Sequence, residues 1–162
     1  MKKLYLIRHA KSSWKDSSLE DFDRPLNKRG RLNAPFMGET LKSKNVKPDL
    51  ILSSPALRAK TTARVIAKEI GYFKKIVFKE EIYEASVGAL HEIVTQVGDE
   101  VHALFLFGHN PSLNELAQKY VGFEDNVPTC GVLEIEFDCD SWSQIDRENS
   151  KIVSFEYPKK HL

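Results

Sequence analysis

Cysteine is scarce, with only Cys130 and Cys139 in 162 residues. Two cysteines without a Cys-x-x-Cys spacing supply neither a disulfide framework nor a thiolate metal site, and they read as ordinary free thiols. An excess of charge is missing as well. Lys and Arg total 24 against 23 for Asp and Glu, so no broad basic surface is available for nucleic acid or anionic lipid, and any anion site must be local. Long apolar runs are absent near the start. Leu4 to Ile7, between Lys3 and Arg8, is too short for a signal-peptide core or a membrane span. The expectation is a cytoplasmic protein that binds neither membrane nor nucleic acid. Neither a Gly-x-Gly-x-x-Gly nor a Walker A sequence occurs, which disfavours a nucleotide-binding Rossmann or P-loop protein.

What is present is a chain that is 41% hydrophobic and free of repeats, low-complexity stretches and linkers. Such a length buries one sizeable core, so residues 1–162 are read as one domain. Apolar runs alternate with helical patterns, the mark of an α/β fold. Leu4 to Ile7, Asp49 to Leu52 and Ala103 to Phe107 read as strands, each followed by a helix, which predicts a mostly parallel sheet. The helix after the second strand has Ser54 as its expected cap, Pro55 at its first position and Gly71 at its end, with Ala59, Ala63, Ile66 and Ile70 at helical spacing. Asn110-Pro111-Ser112 repeats that grammar ahead of Leu113, Leu116, Ala117 and Tyr120, with a stop near Gly122. Asn27 is the expected cap of a helix reaching Ser43 and kinked at Pro35. Val87 to Val97 reads as a further helix. Gly131 to Phe137, Trp142 to Ile145 and Lys151 to Tyr157 read as a C-terminal β-meander that extends one side of the sheet.

Ligands of open α/β sheets lie beyond the carboxyl ends of the strands. Arg8 and His9 follow the first predicted strand, Ser53, Ser54 and Arg58 the second, and Gly108 and His109 the third. Each strand end thus offers a cation or an imidazole, and two of them sit beside the start of a helix, where exposed N–H groups favour an anion. Any one of these residues alone reads equally well as a surface ion pair or a satisfied structural histidine. Together they imply a phosphate-like ligand. His91, His102 and His161 lack such company and are read as structural or solvated. Carboxylates do not cluster near the three strand ends, so no metal and no other cofactor is expected.

Arg8-His9, Ser53-Ser54-Pro55-Ala56-Leu57-Arg58 and Gly108-His109-Asn110-Pro111 resemble the motifs of the histidine phosphatase superfamily, closest to its small SixA-type phosphohistidine phosphatases. The resemblance extends through Asp21-Phe22-Asp23-Arg24-Pro25-Leu26, Asn27-Lys28-Arg29-Gly30, Tyr83-Glu84-Ala85, Trp142 and Tyr157-Pro158. It implies a phosphoglycerate mutase-like fold, a three-layer α/β/α sandwich with a mostly parallel central sheet. It also implies a metal-independent phosphatase in which His9 is the nucleophile and Arg8, Arg58 and His109 surround the phosphoryl oxygens. Arg24 is a further candidate for the phosphate, its alternative being an ion pair with Asp21 or Asp23. Glu84 is the candidate proton donor, against the alternative of a surface carboxylate. Many members carry glycine where this chain has Ala10, so the loop must accept a Cβ. The implied substrate is the phosphohistidine of a partner protein. A small phosphorylated metabolite is the alternative, and a non-catalytic phosphate-binding or phosphoprotein-binding module a third reading.

Overall fold

Period-two alternation along the first strand decides how the layers form. In the computed structural model, which describes residues 1–162, β1 (Lys2–Arg8) sends Leu4 and Leu6 to one face of a sheet and Tyr5 and Ile7 to the other. β4 (Ala103–Gly108) repeats this with Leu104 and Leu106 against Phe105 and Phe107. Leu90 and Val94 of α3 (Val87–Thr95) and Leu113, Leu116 and Tyr120 of α4 (Ser112–Val121) cover the first face. Met37 and Leu41 of α1 (Lys28–Ser43) and Ala63 and Ile66 of α2 (Leu57–Ile70) cover the second. A three-layer α/β/α sandwich results, as the resemblance implies.

β2 (Leu50–Ser53), β3 (Val77–Phe78), β5 (Val132–Phe137) and β6 (Ser150–Glu156) complete a six-stranded sheet of order β3-β2-β4-β1-β5-β6. β3, β2, β4 and β1 run parallel, whereas β5 and β6 add on antiparallel at the β1 side. The short β3 escapes sequence reading because two residues carry no periodicity.

Several expected boundaries change. Trp142 to Ile145 is not a strand: Trp142–Gln144 is a 3₁₀ turn. Its buried indole donates from Nε1 to the Val101 carbonyl at 2.8 Å, so packing and a single hydrogen bond override the β-propensity of the aromatic. The C-terminal meander is therefore a two-stranded β5–β6 extension. α2 starts at Leu57, after Ser54 and Pro55, because the Ser54 hydroxyl turns back to accept from Ala56 N at 3.2 Å and leaves Ala56 at the cap. Pro111 likewise precedes α4 as its cap. Other punctuation holds: Asn27 Oδ1 accepts from Gly30 N at 2.8 Å, Gly71 ends α2 with φ of 78°, and α1, with Pro35 inside it, reaches Ser43. Gly30 is needed for another reason, since a Cβ there would collide with the carbonyl of Lys11. No helix is long and apolar enough to cross a membrane.

Candidate active site

Register brings the three strand ends together. Arg8 of β1 lies opposite Gly108 of β4, and Ser53 of β2 opposite Phe107, so the chain leaves all three parallel strands at one level. One further rung of hydrogen bonds fixes the exits: His9 N donates to Gly108 O at 3.2 Å and Ser54 N to Phe107 O at 3.0 Å. Cys130 N, held with φ of 62°, donates at 3.0 Å to the carbonyls of both Arg8 and His9. Ala10 is fully buried in the α1/α2 core, and its N–H donates to Thr62 Oγ1 at 2.9 Å. The Cβ that this loop must accept thus fills a core position.

The two imidazoles lie with centroids 5.0 Å apart. His9 is 7% exposed, and its Nδ1 lies 2.7 Å from the Ala10 carbonyl. A carbonyl only accepts, so Nδ1 carries the hydrogen and Nε2 keeps its lone pair. Burial, opposed by that hydrogen bond and reinforced by His109, Arg58 and Arg8, pushes His9 down to about 3. The ring is neutral at physiological pH. His109 Nε2 lies 2.8 Å from Ser54 Oγ, which already accepts from Ala56 N. With Ala56 N donating to Oγ, the hydroxyl hydrogen is available for Nε2, an arrangement that puts the hydrogen of His109 on Nδ1. Burial and the Arg58 charge bring His109 down to about 4.

Three buried nitrogens have no hydrogen-bond partner: Arg8 Nε, Arg58 Nε and His109 Nδ1. All three belong to the same cluster; the two arginine nitrogens are donors, and His109 Nδ1 is a donor when Ser54 Oγ donates to Nε2. A buried unmet donor costs about 1–3 kcal/mol, so three in one place are a concentrated cost that a bound acceptor would relieve. Three of the four remaining nitrogens of these two guanidinium groups are engaged elsewhere, and Arg8 Nη2 makes no hydrogen bond. Arg8 Nη1 donates to Val127 O at 3.3 Å, Arg58 Nη1 to Asp21 O at 2.7 Å, and Arg58 Nη2 to Asp21 Oδ2 at 3.0 Å. Burial and the neighbouring Arg58 charge lower Arg8 from its ordinary value.

Asp21 organises the outer side of this cluster. Besides Arg58 it accepts from Tyr83 Oη at 2.6 Å and pairs through Oδ1 with Arg24 at 3.1 Å. Partial burial opposes its ionisation, but the hydrogen bonds from Tyr83, Arg58 and Arg24 outweigh that and hold it at about 2. Tyr83 in turn packs edge-on against His109 at 5.7 Å. Arg24 is buried, donates to Ser12 Oγ at 2.7 Å and stacks on Trp14 at 3.5 Å.

The structure therefore gathers Arg8, His9, Arg58 and His109, with Arg24 held in its alternative pairing to Asp21. Glu84 stands apart. Its side chain is exposed, its backbone is left-handed with φ of 57°, and it neither bonds to nor pairs with any of the four. Asp21, Tyr83 and Ser54 carry no site role in the sequence reading, although all three lie within the quoted motifs. Only the fold brings Asp21 to Arg58, across 37 residues. No three His, Cys, Asp or Glu side chains gather anywhere in a way that could hold a metal ion.

Known proteins share this sequence pattern and fold. An uncharacterized chloroplastic protein of Arabidopsis thaliana is 30% identical over 154 residues, covering 88% of this chain and 70% of its own length. The crystal structure of SixA from Agrobacterium tumefaciens superposes with a TM-score of 0.85 at 26% identity, covering 97% of this chain and 98% of that one. A protein histidine phosphatase SixA complexed with tungstate shares the fold with a TM-score of 0.84 at 18% identity and 99% coverage of both chains. The model of the histidine phosphatase superfamily (branch 1) matches residues 4–119, the span that holds all three strand ends, and this chain therefore belongs to that superfamily and is a phosphatase.

Proposed function

We propose that the chain hydrolyses phosphohistidine on a partner protein through a phosphorylated His9. The observation that carries this reading is the set of three unpaired buried donors around a histidine whose Nε2 lone pair is free. Arg8 Nε, Arg58 Nε and His109 Nδ1 offer one hydrogen bond to each of three phosphoryl oxygens, which is where charge spreads during transfer. His9 Nε2 attacks phosphorus, the bond to the leaving group breaks, and the Nδ1 hydrogen bond to Ala10 stabilises the positive charge that the ring acquires. Water then attacks the phosphohistidine, releases phosphate and returns the electron pair to Nε2. Asp21 positions the site by occupying both Arg58 Nη atoms, which fixes the guanidinium and leaves Nε as its unpaired donor.

The choice of a P–N bond rests on the carboxylate closest to the chemistry. Asp21, held at about 2, carries no proton to give at neutral pH. Such a site suits an imidazole leaving group, which solvent can protonate, better than an alkoxide, which needs a positioned acid. Glu84, one residue beyond Tyr83, is the proposed donor for oxygen leaving groups. No step in this scheme calls on a metal.

A turnover panel tests the reading: a phosphohistidine peptide, sugar phosphates and aryl phosphates, each with and without EDTA. The phosphohistidine peptide is expected to give the highest kcat/KM, unaffected by the chelator, with vanadate and tungstate competing. Faster turnover of a sugar phosphate would favour a small-molecule phosphatase, and no turnover of anything a phosphate-binding module.

A further inference from the structure

A groove of about 900 Å³ runs between the N-terminal half of α1, the loop before β5 and the residues that follow β6. Its charge is one-sided. Lys11, Lys28, Arg29, Lys159 and His161 line it, and no Asp or Glu does, in a chain whose charges otherwise nearly cancel. Lys11, Lys28, Arg29 and Lys159 are exposed and make no ion pair, whereas His161 is tied from behind to the buried Glu156 at 2.7 Å. Lys28 and Arg29 form the first turn of α1, which contains no acidic residue. Cations there oppose the helix macrodipole and weaken the helix they sit on. Their placement adds to the positive potential of the helix end.

The groove also has an apolar strip. Leu32 is 63% exposed and Phe36 39% exposed, neighbours on the surface of α1. One wall continues into the phosphoryl site: Pro128 and Thr129 lie between Val127, whose carbonyl is held by Arg8, and Cys130, whose N–H holds the carbonyls of Arg8 and His9. Lys11, on the same side, is two residues from His9.

We propose that this groove docks an acidic segment flanking the phosphorylated residue of the protein substrate, its carboxylates facing the four free cations and an apolar side chain resting on Leu32 and Phe36. The inference rests on the reading of the enzyme as a protein phosphatase and names what kind of protein it takes. The apolar strip favours a peptide over a nucleic acid, since a phosphate backbone has nothing to place on Leu32 and Phe36. Charges at such a rim act on encounter and selectivity and are weakened by salt.

The test uses two phosphohistidine peptides with one core sequence, one flanked by Glu, Asp and Leu and the other by Ser and Gly, with an aryl phosphate as small control. The acidic peptide is expected to have a kcat/KM about tenfold higher at low salt, and the preference should vanish in high salt and in Lys28→Glu/Arg29→Glu. That variant places acids at the start of α1, where they help the helix, so its Tm should hold or rise and its aryl phosphatase activity should be unchanged. Equal turnover of the two peptides overturns the docking inference and leaves the phosphohistidine reading standing. Turnover of the aryl phosphate but of neither peptide overturns the phosphohistidine reading. Docking is still decided in that case by fluorescence anisotropy of the unphosphorylated acidic peptide: binding lost in the double variant supports it, and no binding overturns it. Tighter anisotropy binding of a single-stranded oligonucleotide than of the acidic peptide would also overturn the assignment of the groove to a protein segment.

Discussion

Two of the ionic clusters on this fold, each centred on one carboxylate, are built to opposite rules. At the C-terminal side, Glu156 is surrounded by Lys44 at 3.1 Å, Lys160 at 3.1 Å and His161 at 2.7 Å. Its burial opposes ionisation, but the hydrogen bonds from Lys160, Lys44 and His161 outweigh it and hold the carboxyl at about 2. No buried polar atom of that cluster is left without a partner. At the strand ends the balance is reversed: one carboxylate, Asp21, serves two arginines, and three donors of the cluster stay unpaired. A cluster that only ties elements together closes its hydrogen bonds. One that receives an anion keeps donors open at a cost to stability, the usual relation between active sites and strain.

The largest expected contrast comes from removing the nucleophile. His9→Ala should abolish turnover and acid-labile phosphoenzyme while phosphate binding persists through Arg8 and Arg58, as calorimetry with inorganic phosphate would register. Phosphoenzyme surviving in the variant would move the nucleophile elsewhere, with His109 the next candidate.

Glu84→Gln should follow in size, and only for some substrates. A missing general acid slows alkyl phosphates by roughly 10²–10⁴-fold, whereas aryl phosphates and phosphohistidine, with better leaving groups, should change little. Equal losses across leaving groups would mark Glu84 as a positioning or structural residue.

Asp21→Asn sharpens the comparison from within the open cluster. Freed from its carboxylate, Arg58 loses its fixed orientation, and kcat should fall by about 10–100-fold, the usual scale for partners that orient active groups. A merely structural Asp21 would lower Tm without changing kcat at a temperature well below melting.

Glu156→Gln should do the reverse, leaving kcat intact while lowering stability. Lys44 and Lys160 are each over a third exposed and can turn to water, so the loss should be about 1 kcal/mol, or a Tm shift of about 2–4 °C for a chain of this size. The two clusters should also separate by pH. Glu156 is depressed from 4.5 to about 2, so its contribution is present above pH 4.5 and is lost as pH falls towards 2. His9 is depressed from 6.5 to about 3, so the unfolded chain takes up that proton first and stability drains between pH 6.5 and 3. Thermal melts against pH should therefore be shallower in the upper part of the acid slope in His9→Ala, where His109 keeps its own share, and shallower in the lower part in Glu156→Gln, where Asp21 keeps its own. An unchanged upper slope in His9→Ala would mean that His9 titrates normally.

Local signals made the frame of the molecule readable from the chain. The short apolar runs Leu4 to Ile7 and Ala103 to Phe107, the Asn27 cap, and Gly71 and Gly122 as helix stops each act over a few residues, and each has its expected place in the structure. The strand-end rule then located Arg8, His9, Arg58 and His109 at one edge, because a parallel sheet delivers its carboxyl ends together. Long-range geometry lay outside that reach. Nothing local tells that Ser54 turns from a helix cap to hold His109, that Trp142 buries its indole and bonds the Val101 carbonyl instead of joining a strand, or that Asp21 bridges Arg24, Arg58 and Tyr83. Hydrophobic periodicity and capping are properties of neighbours in sequence, so the sequence alone determined the elements and the residues at their ends. Which donors are paired, which are left open and how far each pKa moves depend on burial and on partners dozens of residues away, and those only the tertiary structure decided.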